Sequence, residues 1–188
     1  MKTRIRNTPI EATEDQETRG ETDSFDVIQE PELRDLAAYW SAKRDGGAFP
    51  TRDAIDPVDI PWALNRIYIA DRAGPEVGWR YVLAGDLIEQ ALRRNSLRGV
   101  GLNELLPREA FQSVCRRWHP VSEGRAIYMR GQIYKAAERY VWGARLLLPL
   151  SDNGAAVTGL IGMSLSADGA PTSDEPSLTL WSIGLNDP

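Results

Sequence analysis

The sequence is poor in the residues on which most catalytic and redox sites depend. Its 188 residues include one cysteine, Cys115, and one histidine, His119. A single cysteine excludes an intramolecular disulfide framework and a cysteine-based zinc finger. Lysine is also scarce, with only Lys2, Lys43 and Lys135 in the chain. Since few side chains can serve as a general base or form a Schiff base, we predict no enzyme, no catalytic residue and no metal site.

Long apolar runs and an excess of positive charge are also missing. No stretch approaches the roughly 18 consecutive apolar residues that a membrane helix requires. The formal net charge is -5 and the isoelectric point is near 5.0, which opposes nucleic-acid binding because phosphate contacts draw on a basic surface. The opening MKTRIRNTPIEATEDQE has no apolar run behind its basic start, so it is not a secretory signal. We therefore expect a cytoplasmic protein with no membrane and no nucleic-acid partner.

The composition that is present favours one soluble domain preceded by a tail. Hydrophobic residues make up 42% of the chain and charged residues 26%, which is enough to bury a core. Residues 1–26 are polar and lack a hydrophobic period, so we predict a disordered N-terminal tail. Residues 27–47 are predicted to hold an amphipathic cap helix that begins near Pro31. Leu33, Leu36, Ala37 and Trp40 fall at i, i+3, i+4 and i+7 and form an apolar stripe along this helix. The stripe must pack against either its own domain or a second copy of the chain, and we predict a homodimer interface at these four residues.

The rest of the chain predicts a sheet with a group of short helices inserted in it. Two short β-prone runs, 67–69 and 79–83, flank a turn and indicate a hairpin. Helical patterns follow up to Pro120, and three longer strands then form a meander around the Asn153-Gly154 turn. We predict an α+β fold with a five-stranded antiparallel sheet, short helices on one face and the cap helix. The domain is expected to span 48–167, with a C-terminal tail at 168–188.

Four segments of the chain carry recognisable motifs. The segment 39–64 contains an Asp-Pro-x-Asp-Ile-Pro run, and 78–88 contains a strand followed by a glycine and a predicted helix. The segment 97–107 contains Gly-x-x-Leu-x-Glu-Leu, and 146–154 contains Leu-Pro-Leu-Ser-Asp-x-Gly. In this order the four segments resemble the PAS family that is widespread in alpha-class proteobacteria and often forms a stand-alone domain. Arg98, Arg94 and Asn65 depart from the family pattern near the expected pocket, so the resemblance leaves the cofactor unknown.

The resemblance implies a sensory or regulatory module that has no output domain of its own and acts by binding. A small molecule or a signalling protein would shift the populations of two packings. We place the ligand between the sheet and the helices. Arg145 is expected to face water, which sends its strand neighbours inward, and Arg130 likewise sends Met129 inward. The predicted ligand-binding residues are Ile88, Leu92, Leu102, Leu105, Phe111, Val114, Trp118, Met129, Ala144, Leu146 and Leu148.

Single residues suggest other functions. His119 is a candidate haem ligand, but its place at a helix end is typical of a surface histidine. Cys115 lies in an apolar stripe without the motif of flavin-binding relatives, so a buried thiol is the simpler interpretation. Arg94 and Arg98 form a weak guanine-dinucleotide motif. Two alternatives to a ligand sensor stay open: a dimeric interaction adaptor whose core its own side chains fill, and a cavity enzyme of the isomerase or dehydratase type.

Overall fold

The structure is a computed structural model that describes residues 17–136, 139–167 and 178–185. The side chains of residues 134–136, 139 and 140 are not described. The described residues form seven strands, four α-helices and three short 3₁₀ turns. The strands are β1 (Glu17–Thr22), β2 (Ile67–Arg72), β3 (Trp79–Ala84), β4 (Ala126–Ala136), β5 (Arg139–Ser151), β6 (Val157–Ser166) and β7 (Leu178–Ile183). The helices are α1 (Pro31–Ala42), α2 (Asp86–Ala91), α3 (Leu102–Leu105) and α4 (Arg108–Ser122).

The strands form one sheet in the order β1-β7-β4-β5-β6-β2-β3. All pairs are antiparallel except β1 with β7, which are parallel. The Asn153 side chain closes the β5–β6 turn by accepting hydrogen bonds from the Ala155 and Ala156 amides at 3.0 and 3.3 Å. Short connections of this kind make consecutive strands antiparallel, which explains the central meander.

Both faces of the sheet are covered. One face, here called the α1 face, packs against α1 and the proline-rich segment 49–63. The other, here called the α4 face, packs against α2, α3 and α4. Successive residues of a strand point to opposite faces, so Leu146 and Leu148 of β5 lie on the α1 face and Leu147 on the α4 face. The nearly unbroken apolar run of β5 is therefore explained by burial on both sides.

The α+β class is confirmed, and two details of the prediction are wrong. The sheet has seven strands instead of five, because segments 17–22 and 178–183, both assigned to tails, pair with each other, and 178–183 also pairs with β4. As predicted, the short helices α2, α3 and α4 lie on one face, and the cap helix α1 covers the other. Pro120 does not end α4 but lies within its last turn, since the helix continues to Ser122. Residues 1–16, 168–177 and 186–188 of the predicted tails lie outside the described residues.

Among the described residues, no helix combines the length and the apolar character needed to cross a membrane.

Candidate functional site

The structure brings most of the predicted ligand-binding side chains together on the α4 face. Eight of them pack in or against one cluster between the sheet and the helices: Ile88, Leu92, Leu102, Leu105, Phe111, Val114, Trp118 and Met129. Trp118 of α4 and Met129 of β4 are buried, whereas Phe111 and Val114 of α4 are half-buried. The expected direction of Met129 agrees with the structure, since Arg130 beside it is exposed on the opposite face. That these residues bind a ligand stays a prediction.

The other three predicted residues, Ala144, Leu146 and Leu148, lie on the α1 face instead. They were placed by assuming that Arg145 faces water, and that assumption is wrong. Arg145 is only 5% exposed, because its side of β5 is covered by α4. Because both faces of the sheet are buried, no side chain on this part of β5 points to solvent. The position of a charged residue therefore cannot be used to assign an exposed face of this strand.

The stripe predicted as a dimer interface is covered by the chain's own sheet. Leu33, Leu36, Ala37 and Trp40 belong to the α1-face cluster and are at most 2% exposed. The Trp40 indole donates a 2.7 Å hydrogen bond from Nε1 to the Pro149 carbonyl of β5. A dimer through these four side chains stays a prediction, and it would require α1 to leave the sheet.

The polar centre of the α4 face is the Arg145 guanidinium. Arg145 and Ser164 are opposite each other in the β5–β6 register, and Arg145 Nε donates a 3.0 Å hydrogen bond to Ser164 Oγ. The guanidinium carbon lies 5.6 Å from the ring centroid of Trp118 on α4, within cation–π range. Strand register and helix packing therefore fix a positive charge between the two layers.

Aromatic rings adjoin this charge. Tyr68 of β2 stacks on Trp118 with ring centroids 6.0 Å apart and planes inclined by 18°. Its ring is tilted against that of Tyr81 of β3, at 5.5 Å between centroids. Gly162 of β6 permits this arrangement, because a Cβ at that position would collide with the Tyr68 ring. The name "Arg145 cluster" is used below for Tyr68, Tyr81, Trp118, Arg145 and Ser164.

The helix layer above the cluster is held by tight contacts at its outer side. A Cβ on Gly78, the residue before β3, would lie 2.8 Å from Cys115 Sγ and 3.3 Å from the Phe111 ring. Burial raises the pKa of the Cys115 thiol, so the protonated form is favoured there. A reactive thiolate needs the opposite environment, one that lowers its pKa.

A second set of polar contacts ties the start of α1 to β4. The Tyr128 hydroxyl donates a 2.8 Å hydrogen bond to Glu30, the residue before α1, and accepts one from the Gln29 amide at 3.4 Å. Arg130 forms an ion pair with the same carboxylate at 3.4 Å. Burial, and next the Glu30 carboxylate, raise the pKa of Tyr128. These contacts fasten the helix to the sheet on the α1 face.

The remaining single-residue candidates lie at the surface or lack partners of the right kind. His119 is exposed and pairs with Glu123 at 3.2 Å, one helical turn along α4. Arg94 and Arg98 are both exposed on the loop after α2. Within the part of the chain that the structure describes, no three His, Cys, Asp or Glu side chains group as metal ligands.

Sequence reasoning missed Arg145, Ser164, Tyr68 and Tyr81 as members of the site. The useful signal was the amphipathic stripe of α1. If that stripe covers the chain's own sheet, both faces are buried, and the arginine in the middle of β5 must point into the core. An arginine in such a position is informative because charged residues are rarely buried without a specific environment.

The arrangement suits recognition of a planar anion. A guanidinium presents hydrogen-bond donors in a rigid fork that matches a carboxylate, and aromatic faces offer stacking surfaces. Ser164 Oγ accepts a hydrogen bond from Arg145 Nε, so the facing strand orients the guanidinium.

Comparison with solved structures finds similar folds at low sequence identity. The structure of the PAS domain from Bordetella pertussis BvgS is 20% identical, with 60% of this chain and 83% of that chain covered and a TM-score of 0.46. An RNA-binding Light-Oxygen-Voltage receptor is 20% identical, with 62% and 35% covered and a TM-score of 0.42. The Erythrobacter litoralis EL346 blue-light activated histidine kinase is 16% identical, with 61% and 38% covered and a TM-score of 0.37.

No curated protein sequence matches the chain. A family model described as PAS domain, in contrast, matches residues 28–164, from the residues just before α1 to Ser164 in β6. The match includes α1, the strands from β2 to β6 and the helices of the α4 face, and it covers well over half of the sequence. By this match the chain belongs to the PAS domain family.

Proposed function

We propose that the chain is a regulatory PAS module in signal transduction that binds a small aromatic carboxylate beside Arg145. The observation that carries this proposal is the burial of Arg145, which is 5% exposed in the layer between the sheet and α4. Removing a charge from water is costly, and a protein keeps such a group inside when it serves a specific interaction. Ligand recognition is one such interaction.

The neighbours of Arg145 support the chemical class of the ligand. The arginine supplies the fork for a carboxylate, and Ser164 holds it in place through its Nε. Trp118 and Tyr68 present aromatic faces beside it, which favours a ligand with a ring. The proposed action is binding and release, without a chemical reaction.

The α2–α4 layer is the part that would respond. The Phe111 and Val114 side chains of this layer are only half-buried, in contrast to the buried strand residues of the same cluster. A ligand inserted between the layers would favour a packing in which α4 lies further from the sheet. A protein partner that contacts α4 would then distinguish the two packings.

The experiment is native mass spectrometry on the freshly purified protein, followed by thermal melting with benzoate and with benzamide. We expect a discrete extra mass, and a higher melting temperature with benzoate than with the uncharged amide. The variant Arg145→Met should lose both effects, whereas Arg34→Met, at an exposed position on α1, should keep them. An unmodified mass together with no stabilisation by benzoate would refute the ligand proposal.

A filled-core interaction adaptor is the second candidate, and close packing of the cluster favours it. Tyr68, Leu147 and Leu160 are at most 1% exposed, so large side chains occupy much of the α4 face. An adaptor predicts a bare protein whose mass spectrum shows a homodimer, since the module would then act through protein contacts alone. A bare monomer would count against both the homodimer and this alternative.

A further inference from the structure

We propose that a second binding site, separate from the Arg145 cluster, takes a basic α-amino acid. It is an open cleft of about 850 Å³ at one end of the sheet, where β2 ends and β6 begins. Its charged and polar lining includes Arg52, Asp53, Asp71, Arg72, Asp152 and Thr158. Thr158 is six residues from Ser164 along β6, or roughly 20 Å at the rise of a strand, so the two sites do not overlap.

The walls of the cleft are held by backbone contacts. The segment that carries Arg52 and Asp53 is joined to the end of β5 by a bridge between Thr51 and Ser151, with a 3.0 Å hydrogen bond from the Ser151 amide to the Pro50 carbonyl. The next residue, Asp152, begins a turn that Ser151 also fixes, through a 2.6 Å hydrogen bond from its hydroxyl to the Ala156 carbonyl. The charged groups therefore project from anchored segments.

Arg52 and Asp71 form an ion pair across the floor of the cleft. Gly159 of β6 lies beneath this pair: a Cβ there would be 3.3 Å from Asp71 Oδ1 and 3.4 Å from the Arg52 guanidinium. The absence of a side chain on Gly159 lets the pair approach the backbone of β6 closely. Because these two charges neutralise each other, the charge offered to a ligand comes from the other lining groups.

Those other groups are one guanidinium and two carboxylates. Arg72, Asp53 and Asp152 are exposed, and none forms an ion pair with another described residue. A simple anion would meet two carboxylates there, and a simple cation would meet an arginine. A molecule with one carboxylate and two cationic groups complements all three, and a basic α-amino acid has this set of charges.

Two polar atoms in the wall also need partners. Arg52 Nε and Thr158 Oγ1 are buried and have no hydrogen-bond partner among the described residues. Buried donors are almost always satisfied in folded proteins, by protein, water or ligand. Both residues line the cleft, so a bound carboxylate held by Arg72 would bring acceptor oxygens to the same wall.

The test is isothermal titration calorimetry of the full chain with L-arginine as the probe. We expect saturable binding with a dissociation constant below about 1 mM. Agmatine lacks the carboxylate and L-citrulline lacks the side-chain charge, and each should bind at least about tenfold more weakly. Absence of a saturable heat with millimolar L-arginine, or equal affinity for the three compounds, would overturn the proposal.

Two exposed-residue variants separate the parts of the site. Arg72→Gln should weaken L-arginine binding at least about fivefold and leave agmatine unchanged, because only L-arginine carries the carboxylate. Asp152→Asn should weaken the binding of both L-arginine and agmatine, since both compounds carry the two cationic groups. Asp35→Asn, on the exposed side of α1, is the matched control and should change neither. An Arg72→Gln variant that binds L-arginine like the native chain would refute the assignment, and thermal melting of each variant verifies its fold.

Discussion

The two faces of the central sheet are buried to the same depth but differ in chemistry. On the α1 face the strands present mainly alanine, leucine, isoleucine and methionine to the apolar side chains of α1, and the Tyr128 hydroxyl bonds to Glu30 just before the helix. On the α4 face the same strands present Arg145 and Ser164 among aromatic rings. The alternation of side chains along β5 produces this contrast within adjacent residues, since Arg145 and Leu146 point in opposite directions.

The difference teaches how the domain divides its tasks. Burial of apolar surface stabilises a fold, whereas a buried cation costs free energy unless its surroundings compensate for it. The α1 face therefore serves stability, and α1 closes it as a permanent part of the core. The α4 face holds a buried guanidinium in the same core, and the proposed ligand site lies beside it.

The largest expected effect is a loss of stability when the Trp40 side chain, which packs α1 against the sheet, is removed. Trp40→Ala removes a fully buried ring and its 2.7 Å hydrogen bond to Pro149, so the free energy of unfolding should fall by about 3–5 kcal/mol. Urea denaturation followed by circular dichroism measures it. The matched control is Trp62→Ala, at a tryptophan that is 41% exposed, with a loss under about 1 kcal/mol. Similar losses for both variants would show that α1 is not integral to the core.

The sequence supports prediction of the α1 stripe, the first hairpin and the β5–β6 turn, because each depends on local spacing. Leu33, Leu36, Ala37 and Trp40 repeat with the helical period, and Asn153-Gly154 is a strong turn signal. The pairing of β1 with β7 could not be predicted in the same way. It joins residues at opposite ends of the chain, and β1, with the sequence ETRGET, has no apolar alternation to mark it as a strand.

The candidate site shows the same limit. Eight of its predicted side chains lie together because helical stripes and the Met129 register are local signals. Ala144, Leu146 and Leu148 were misplaced because the direction of a strand residue depends on what covers each face, which is a tertiary property. The cleft around Arg52 and Asp71 likewise joins segments that only the folded sheet brings together.

The next effect concerns the contacts that fasten α1 to β4. Tyr128→Phe removes the hydrogen bond to Glu30 and should lower the free energy of unfolding by about 1–2 kcal/mol. Tyr39→Phe is the control, because its hydroxyl bonds to the Asp56 amide at the exposed end of the helix, and its loss should be under about 1 kcal/mol. If the Tyr128 variant were as stable as the native chain, Glu30 would not hold α1 to the sheet.

Tyr128 also predicts a pH dependence. Its raised pKa means that the folded chain keeps the hydroxyl proton at pH values where the unfolded chain loses it. Stability from this group is thus complete below about pH 10 and declines as the pH rises above it. Urea titrations at pH 8 to 11 should give a decline that is shallower in Tyr128→Phe. An identical decline in both proteins would assign it to other groups.

On the α4 face, substitution of the charge should change stability less. Arg145→Met keeps the length of the side chain and removes the cost of burying the guanidinium, so we expect a change within about 1 kcal/mol in either direction. The same urea measurement with Arg34→Met, at an exposed arginine, gives the baseline. A loss above about 3 kcal/mol would instead make Arg145 part of the structural core and would remove the contrast between the two faces.

The smallest effect tests whether the helix layer of the α4 face excludes water at Cys115. Desolvation raises the pKa of its thiol, so the folded chain retains the proton above the ordinary cysteine pKa, and the stability from this group declines as the pH rises through that range. At pH 8 a thiol-specific disulfide reagent should therefore react more slowly with the folded chain than with the chain unfolded in urea, because the thiolate is the nucleophile. Cys115→Ser provides the unreactive control. Benzoate should change the reaction rate of Cys115 in the folded chain if it moves α4 as proposed. If the thiol instead reacts equally fast in the folded and the unfolded chain, the helix layer above the Arg145 cluster is open to solvent without any ligand.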